Sequence, residues 1–351
     1  KLSALLLAVV MIFSLAACGS KTPKTDPNAT RIFADSTGRE VEVPAQIDKV
    51  ALSGPLAQIV LFALCPDKLV GVSNAWSSEA QEFLDEKYFN MPQIGQLYGG
   101  KGELNLETLL QSGAQVVIDV GESKGSIKED MDSLQQQTGI PFVHISADMQ
   151  SYPQAYRMLG DLLGMKTEAE ALATYCEKIY SRTETIASGV EKANVLYVTG
   201  DMGQNVIAKG SYHAEILDML TNNLAQVDEP SSKGTGNEVS MEQILTWNPD
   251  VVIFAPESIY ATVKDDAAWQ SVTAIKNGAY YEVPFGPYNW MGFPPSVQRY
   301  LGMVWLSKLL YPDATADYDL FADVQEYYKL FYHCDITRAQ YDALVANSIG
   351  K

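Results

Sequence analysis

Two stretches decide the fold: residues 105–119 read NLETLLQSGAQVVID, and residues 240–254 read SMEQILTWNPDVVIF. They align without a gap at an offset of 242 − 107 = 135 residues, so that Glu107 stands opposite Glu242. In each copy a short helical pattern is followed by the residues Val-Val-Ile, which predict a buried strand. The chain therefore repeats one helix-then-strand unit, and an equivalent glutamate stands at the start of each helix.

Strands and helices alternate on both sides of the first copy. The segment RIFADSTGREVEVP, which begins at Arg31, alternates polar and apolar residues around a turn and predicts a hairpin. Further strands are predicted in KVALSG, KLVGVS, AQVVIDVG and IPFVHIS, and helical patterns lie between them. This order indicates a mostly parallel sheet with helices on both faces.

The alternation stops between residues 151 and 190, where the pattern is helical throughout. A helix as long as TEAEALATYCEKIYSRTETIASGV would span roughly 30 Å, about the width of a small domain. Strands and helices then resume to the end of the chain. The predicted fold class is α/β, with two similar lobes of mostly parallel sheet bridged by one long helix.

Composition supports two domains, because 351 residues are many for a single core. A hydrophobic content of 47% with 19% charged residues is typical of a globular protein. The net charge of −18 argues against nucleic-acid binding, which requires basic patches. We predict these boundaries: a signal peptide at residues 1–17, a tether at 18–30, an N-terminal lobe at 31–150, a helical linker at 151–190 and a C-terminal lobe at 191–351.

The first residues indicate export. The apolar run from Leu2 to Phe13 is too short to span a bilayer comfortably but fits the core of a signal peptide. It ends in Leu-Ala-Ala-Cys at residues 15–18, which resembles a bacterial lipoprotein cleavage site with Cys18 as the lipidated residue. The alternative is a plain secretory signal cleaved after Ala17. Both place the mature protein outside the cytoplasm, and the first anchors it to the cell membrane.

The remaining cysteines, Cys65, Cys176 and Cys334, are far apart and form no CxxC pair. They favour buried free thiols over a zinc site or a disulfide framework. The histidines are equally scattered, and the patterns around His144 and His333 favour structural roles. We therefore predict no direct metal site.

Several phrases together carry a family resemblance: the lipoprotein site, DSTGREVEVP, the two repeated stretches and NWMGFPPSVQRYLGMVWLSKLLYP. Because these phrases occur in this order, the chain resembles the periplasmic-binding-protein family for iron–siderophores, haem and cobalamin. The members of this family are the substrate-binding lipoproteins of ABC importers. The resemblance implies a ligand cleft between two lobes and only small closure around the long helix. It also implies that Glu107 and Glu242 dock onto the two subunits of an ABC permease dimer.

Ligands of open α/β sheets lie beyond the carboxyl ends of the strands, so the loops there supply the candidate ligand contacts. The aromatic loop PFGPYNWMGFPP, which begins at Pro284, is the most prominent of these loops. Each candidate could instead pack within its own lobe, and Arg299 could face either the cleft or the surface. The predicted ligand-binding residues are Trp76, Tyr98, Tyr212, His213, Tyr288, Trp290 and Phe293.

The sequence thus predicts an extracytoplasmic, monomeric solute-binding protein that captures a metal chelate, a ferric siderophore first, and has no cofactor of its own. Haem or a corrinoid is the alternative cargo, and His213 could then ligate haem iron. A surface enzyme is the alternative of another class, but the sequence contains no HExxH, P-loop or GxGxxG after a strand. A redox or cluster protein would require the three cysteines to meet in space.

Overall fold

The computed structural model describes residues 28–98 and 103–349. The predicted signal peptide, Cys18 and most of the tether lie outside the described residues. Within them, no helix is both long and apolar enough to cross a membrane.

The first part of the chain forms a hairpin and a parallel sheet, as predicted. Strands β1 and β2 pair antiparallel, and the sheet has the order β3-β4-β5 with all pairs parallel. The strands are β1 (Thr30–Ala34), β2 (Glu40–Pro44), β3 (Val50–Leu52), β4 (Val116–Gly121) and β5 (Phe142–Ser146). The helices are α1 (Pro55–Leu64), α2 (Ser78–Gln81), α3 (Leu106–Ser112) and α4 (Ile127–Thr138).

Two helices then lead to the second lobe, α5 (Tyr152–Leu163) and α6 (Lys166–Gly189). Helix α6 has 24 residues, which corresponds to about 36 Å at 1.5 Å per residue. Its buried face includes Leu172, Cys176 and Ile179, at helical spacings of three and four. The predicted long bridging helix is therefore present.

The second lobe is built on a sheet with the order β11-β10-β6-β7-β9, and β8 pairs with β6. Strands β10, β11 and β6 are parallel, whereas β7 is antiparallel to β6 and β9. The strands are β6 (Asn194–Thr199), β7 (Asn205–Val206), β8 (Asn222–Asn223), β9 (Asn237–Glu238), β10 (Val251–Phe254) and β11 (Tyr280–Glu282). The helices are α7 (Glu215–Leu220), α8 (Met241–Trp247), α9 (Thr273–Lys276), α10 (Arg299–Leu310), α11 (Leu320–Phe331) and α12 (Arg338–Leu344).

Short 3₁₀ helices lie in the connections. They are Pro66–Lys68, Glu86–Tyr88, Tyr212–Ala214, Ile259–Ala261, Val263–Asp265 and Trp269–Ser271. Three sequence expectations need correction here. KLVGVS makes only isolated bridges, because Gly71 at its centre weakens a strand.

The segment DAAWQSVTAIKNG, which begins at Asp266, predicts one helix, but it forms only a 3₁₀ turn followed by the four-residue α9. The Asp266 side chain accepts the backbone N–H groups of Ala268 and Trp269 and so caps the turn. The extended backbone of Val272, with φ −75° and ψ 130°, separates this turn from α9.

The segment PPSVQRYLGMVWLSKLLYP, which begins at Pro294, predicts a long helix, but α10 begins only at Arg299. Pro294 precedes Pro295, and a residue before proline avoids helical geometry.

One hydrophobic interior runs through both lobes. It includes Leu61 of α1, Cys176 of α6, Trp305 of α10 and Tyr328 of α11. Helix α11 comes late in the chain but packs on the N-terminal side, where Tyr328 meets Phe83 with ring centroids 5.2 Å apart. The two lobes therefore share a core and are not separate bodies joined by a flexible link.

Candidate ligand-binding cleft

A cavity of about 580 Å³ lies between the two lobes, and we call it the interlobe cavity. Its first wall comes from the start of α1 and the loop 74–77, and its second from loops of the C-terminal lobe. Those loops follow the carboxyl ends of β6, β10 and β11, which is where α/β sheets place their ligands. The volume is in the range of small-molecule sites.

Trp76 and Gln58 shape the first wall. The Trp76 indole N–H donates to the Tyr88 carbonyl at 3.0 Å, and its ring lies edge-on to Tyr288 with centroids 6.4 Å apart. Gln58 Oε1 accepts the Ser73 backbone N–H at 2.7 Å, and its Nε2 donates to the Tyr288 hydroxyl at 3.4 Å. These contacts hold the first wall against the aromatic loop of the second.

Aromatic side chains of the loop 285–294 form the second wall. Tyr288 and Phe293 line the cavity, and the Phe293 side chain is 50% exposed. Phe285 lines it as well and was missed from the sequence, although it lies in the same glycine- and proline-rich loop. An exposed aromatic at a cavity is a typical ligand contact, because it offers a large rigid apolar face.

The charges at the interlobe cavity are of one sign. Asp201 follows β6, Glu257 follows β10, and both carboxylates are exposed. Neither forms an ion pair within the described part of the chain. No lysine, arginine or histidine belongs to the cavity lining among the described residues.

Four of the predicted residues do not line the interlobe cavity, and two of them, Trp290 and Tyr98, are held by contacts elsewhere. Trp290 is completely buried, and its indole N–H donates to the Gly286 carbonyl at 3.4 Å. Tyr98 donates its hydroxyl to Asp130 Oδ2 at 2.6 Å, within the N-terminal lobe. Trp290 therefore packs in the core, which is the alternative that the sequence left open for each candidate.

Tyr212 and His213 lie between the lobes but outside the cavity lining. The Tyr212 hydroxyl donates to the Ala147 carbonyl at 2.9 Å and so ties the C-terminal lobe to the end of β5. Burial raises the pKa of Tyr212, which stays protonated. Burial, and secondarily the positive charge of Arg299, hold the pKa of His213 below its usual value.

Arg299 faces neither the cavity nor the surface. Its guanidinium is fully buried, 2.6 Å from Glu215 Oε2, and its Nη1 donates to the Tyr212 carbonyl at 2.9 Å. Its Cζ lies 4.9 Å from the centre of the Tyr212 ring. The Nε and Nη2 atoms have no hydrogen-bond partner. A buried arginine with unpaired donors is uncommon.

A buried polar network crosses the sheet of the N-terminal lobe. His144 Nδ1 lies 2.6 Å from Asp119 Oδ2, and the second carboxylate oxygen accepts the Ser53 hydroxyl. His144 Nε2 lies 2.9 Å from the Ser123 hydroxyl. His144 is fully buried and joins adjacent strands.

The cysteines are not assembled into a site. Cys65 and Cys176 are buried free thiols, and Cys334 is partly buried. Burial raises the pKa of Cys65 to about 12 and raises that of Cys176 as well, so both are unreactive. Within residues 28–98 and 103–349, no group of three or more histidine, cysteine or carboxylate side chains is arranged to hold a metal.

The two repeated glutamates are exposed near the N-termini of equivalent helices. Glu107 is in the first turn of α3 and Glu242 in the first turn of α8. Each helix has seven residues and a side-chain N-cap: Asn105 accepts the Thr108 N–H, and Ser240 accepts the Gln243 N–H.

Comparison with known proteins identifies the family. The chain matches the model of the family described as periplasmic binding protein over residues 50–286. The chain belongs to this periplasmic binding protein family. The match extends from the N-terminal lobe through the long helix into the C-terminal lobe.

Solved structures share the fold of this periplasmic binding protein. An ABC transporter solute binding protein from Sulfurospirillum deleyianum is 26% identical, with a TM-score of 0.82 over 90% of this chain and 99% of that chain. A periplasmic solute binding protein from Veillonella parvula is 24% identical, with a TM-score of 0.76 over 91% and 98%.

The chain is also similar to the molybdate-binding protein MolA of Haemophilus influenzae. The two are 24% identical over 334 residues, which cover 87% of this chain and 91% of MolA. The MolA structure with bound molybdate has a TM-score of 0.70 to this chain at 20% identity over 88% and 99%.

These findings confirm the two-lobed α/β fold and the periplasmic binding protein family. The protein is the binding component of an ABC transporter and not an enzyme. Its family works outside the cytoplasm, binds small ligands and acts with ABC permeases.

Proposed function

We propose that this periplasmic binding protein captures a metal chelate, a ferric siderophore first, in the interlobe cavity and delivers it to an ABC permease. The observation that carries the proposal is the cavity itself, about 580 Å³ with Trp76, Tyr288 and Phe293 in its walls. This space is far larger than a bare ion needs, and large aromatic faces suit a bulky, partly apolar complex.

A ligand panel on the protein from Gly19 onward tests this proposal, with tryptophan fluorescence corrected for absorbance as the signal. The panel contains a ferric hydroxamate, a ferric catecholate, ferric citrate, haem and cobalamin. Trp76 lines the cavity, so we expect saturable quenching by a ferric siderophore.

Phe293→Ala should weaken that binding by about tenfold, the loss expected for removing an aromatic contact of about 1.4 kcal/mol. Ile32→Ala is the matched control, because Ile32 is an equally exposed apolar side chain far away on the hairpin. A response to haem or cobalamin alone would change the cargo, and silence from the whole panel would overturn the proposal.

Molybdate is a second candidate ligand, for two reasons. The chain is similar to the molybdate-binding protein MolA, and the buried Arg299 has two donor nitrogens without partners. Isothermal titration with molybdate tests it, with sulfate as the competing tetrahedral anion. Binding that is abolished in a folded Arg299→Lys variant would support this candidate, since lysine lacks the planar donor pair. No heat at millimolar molybdate would exclude it.

We propose further that Glu107 and Glu242 dock onto the two permease subunits. The support is their equivalent position at an offset of 135 residues and their exposure on equivalent helices. Exposed charges of this kind set register and association rate more than affinity. Glu107→Ala or Glu242→Ala should reduce uptake of a radiolabelled chelate in cells and leave its dissociation constant unchanged.

The control for docking is Glu168→Ala, which removes an exposed glutamate from α6 and should leave uptake intact. Loss of ligand binding by Glu107→Ala or Glu242→Ala with the fold intact would contradict the docking role.

We propose that a lipid on Cys18 anchors the protein to the cell membrane. The support is the sequence Leu-Ala-Ala-Cys at residues 15–18, outside the described residues. Mass spectrometry of the mature N-terminus should find acyl chains on Cys18, and Cys18→Ala should release the protein from washed membranes. Protein that is free of the membrane and has an unmodified Cys18 would contradict lipidation and support the plain secretory signal.

A further inference from the structure

We propose that the interlobe cavity selects ferric chelates that carry no net negative charge, a cationic hydroxamate complex above a neutral one and both above an anionic one. This inference rests on the proposed function, because it names the class of chelate within the same cavity.

The first step is the pair of carboxylates on the wall of the C-terminal lobe. Asp201 and Glu257 follow neighbouring parallel strands, β6 and β10, and therefore belong to one edge of the sheet. Neither has an ion-pair partner among the described residues. Burial raises the pKa of Glu282, and the charge of Glu257 raises it further.

The second step is that no described residue of the lining is positively charged. Lys233 precedes the lining residue Gly234 in sequence but does not line the cavity itself. The buried Arg299 is compensated by Glu215 at 2.6 Å, and the whole chain carries a net charge of −18. An anionic complex would therefore enter a field of its own sign, with no described cation on the wall to receive it.

The third step is the aromatic surface. Trp76, Tyr288 and Phe293 present aromatic rings to the cavity, and Phe285 stands beside them. The faces of such rings carry partial negative charge and attract cations within about 6 Å. Apolar and electrostatic parts of the wall thus favour the same ligand, a bulky complex with a hydrophobic body and a neutral or positive charge.

Three complexes of one ferric trihydroxamate test this selection. Ferrioxamine B carries a free ammonium group, its N-acetyl derivative is neutral, and its N-succinyl derivative carries a carboxylate, while the iron core is unchanged. We expect dissociation constants to rise in that order, by about two- to fivefold at each step, as for exposed charge pairs. Raising the salt concentration from about 20 to about 500 mM should reduce the differences between the three dissociation constants, because salt screens the charges.

The variant Asp201→Asn with Glu257→Gln should remove most of this ranking, because the dissociation constants of the cationic and anionic complexes should converge. The matched control is Asp313→Asn with Glu184→Gln, which changes the net charge equally at exposed positions outside the cavity lining. The control should keep the wild-type ranking.

The outcomes separate this inference from the proposed function. Equal binding of all three complexes, or preference for the succinyl derivative, would overturn the charge selection while the chelate-binding function stands. Binding of an anionic ferric catecholate with no binding of the three hydroxamates would do the same. Failure of every chelate in the panel would overturn both.

Discussion

The two copies of the helix-then-strand unit agree closely at one end and differ at the other. In both, a seven-residue helix has a capped start, an exposed glutamate and a left-handed residue at its end: Gly113 with φ 69° and Asn248 with φ 44°. Both place one fully buried residue, Leu109 or Ile244, beside an exposed leucine at the next position. Both strands, β4 and β10, lie between two parallel neighbours.

The carboxyl ends of the two strands have diverged. Asp119 of β4 is a buried carboxylate bound to Ser53 and His144. Its counterpart, 135 residues later, is Phe254 of β10, which packs edge-on against Trp269 with centroids 5.3 Å apart. One lobe thus ends this strand in a hydrogen-bonded network and the other in an aromatic cluster.

The two ends of the repeated unit are expected to meet different partners. The helix starts bear the proposed docking glutamates, and a permease with two equivalent subunits would favour two equivalent surfaces. The loop after β10 contributes Glu257 to the interlobe cavity, where a proposed ligand without twofold symmetry would meet both lobes. Similarity at one end and divergence at the other are what these two proposed partners would require.

The largest expected effect comes from reversing the charge on both matched glutamates. Glu107→Lys with Glu242→Lys should lower uptake of labelled chelate by more than tenfold, on the order expected when like charges face each other at a docking surface. The two single reversals should lower uptake by similar factors if the two surfaces are equivalent. Uptake that is lowered by only one of the two reversals would show that the two surfaces are not equivalent.

The divergent strand ends should matter equally for stability, by different mechanisms. Asp119→Ala leaves His144 without its buried partner and should cost about 3–5 kcal/mol. Phe254→Ala leaves a cavity in an aromatic cluster and should also cost about 3–5 kcal/mol. Urea denaturation measures both. A cost below about 1 kcal/mol for either would show that its strand end adds little to the stability of its lobe.

The two helix caps should have smaller and matching effects. Asn105→Ala and Ser240→Ala each remove one hydrogen bond to an N-terminal backbone N–H and should lower stability by about 1 kcal/mol. Replacing either residue with aspartate, another good cap, should leave the urea midpoint close to that of the wild type. Losses that differ by more than twofold between the caps would argue that tertiary packing, and not the cap, holds one of these helices.

The smallest effect concerns two histidines in different surroundings. His144 is paired with a carboxylate, whereas burial lowers the pKa of His213. His213 binds a proton less readily in the folded protein than in the unfolded chain. Its protonation therefore costs stability as pH falls below the unfolded pKa of about 6.5, and this loss levels off below the folded pKa.

Thermal unfolding at pH 7.5 and 5.5 measures that effect. The shift in melting temperature between the two pH values should be smaller in His213→Gln than in the wild type. An identical shift in both proteins would show that His213 does not contribute to the pH dependence.

Much of the fold was predictable because its signals are local. Helical and strand periodicity, the Val-Val-Ile runs and the long α6 pattern each depend on neighbouring residues. The repeat itself predicted that Glu107 and Glu242 would take equivalent positions, which the structure confirms.

The cavity was harder to predict because it depends on loop conformation. Phe285, Trp290 and Phe293 lie in one loop of similar composition, but two line the cavity and one is buried in the core. No periodicity orders such a loop, so residue type alone cannot separate wall from core. The pairs Asp119 with His144 and Glu215 with Arg299 join distant positions and likewise carry no local signal.

The interior shared by the two lobes has a consequence for how the exported chain matures. A chain that emerges from its N-terminus first would present α1 long before α11, although both contribute to the same core. Tyr328 and Phe331 complete the packing around Phe83 and Tyr156, and they stand near the end of the sequence. Folding outside the membrane is therefore completed only after nearly the whole chain has crossed, and a truncated chain would leave apolar surface open to proteases.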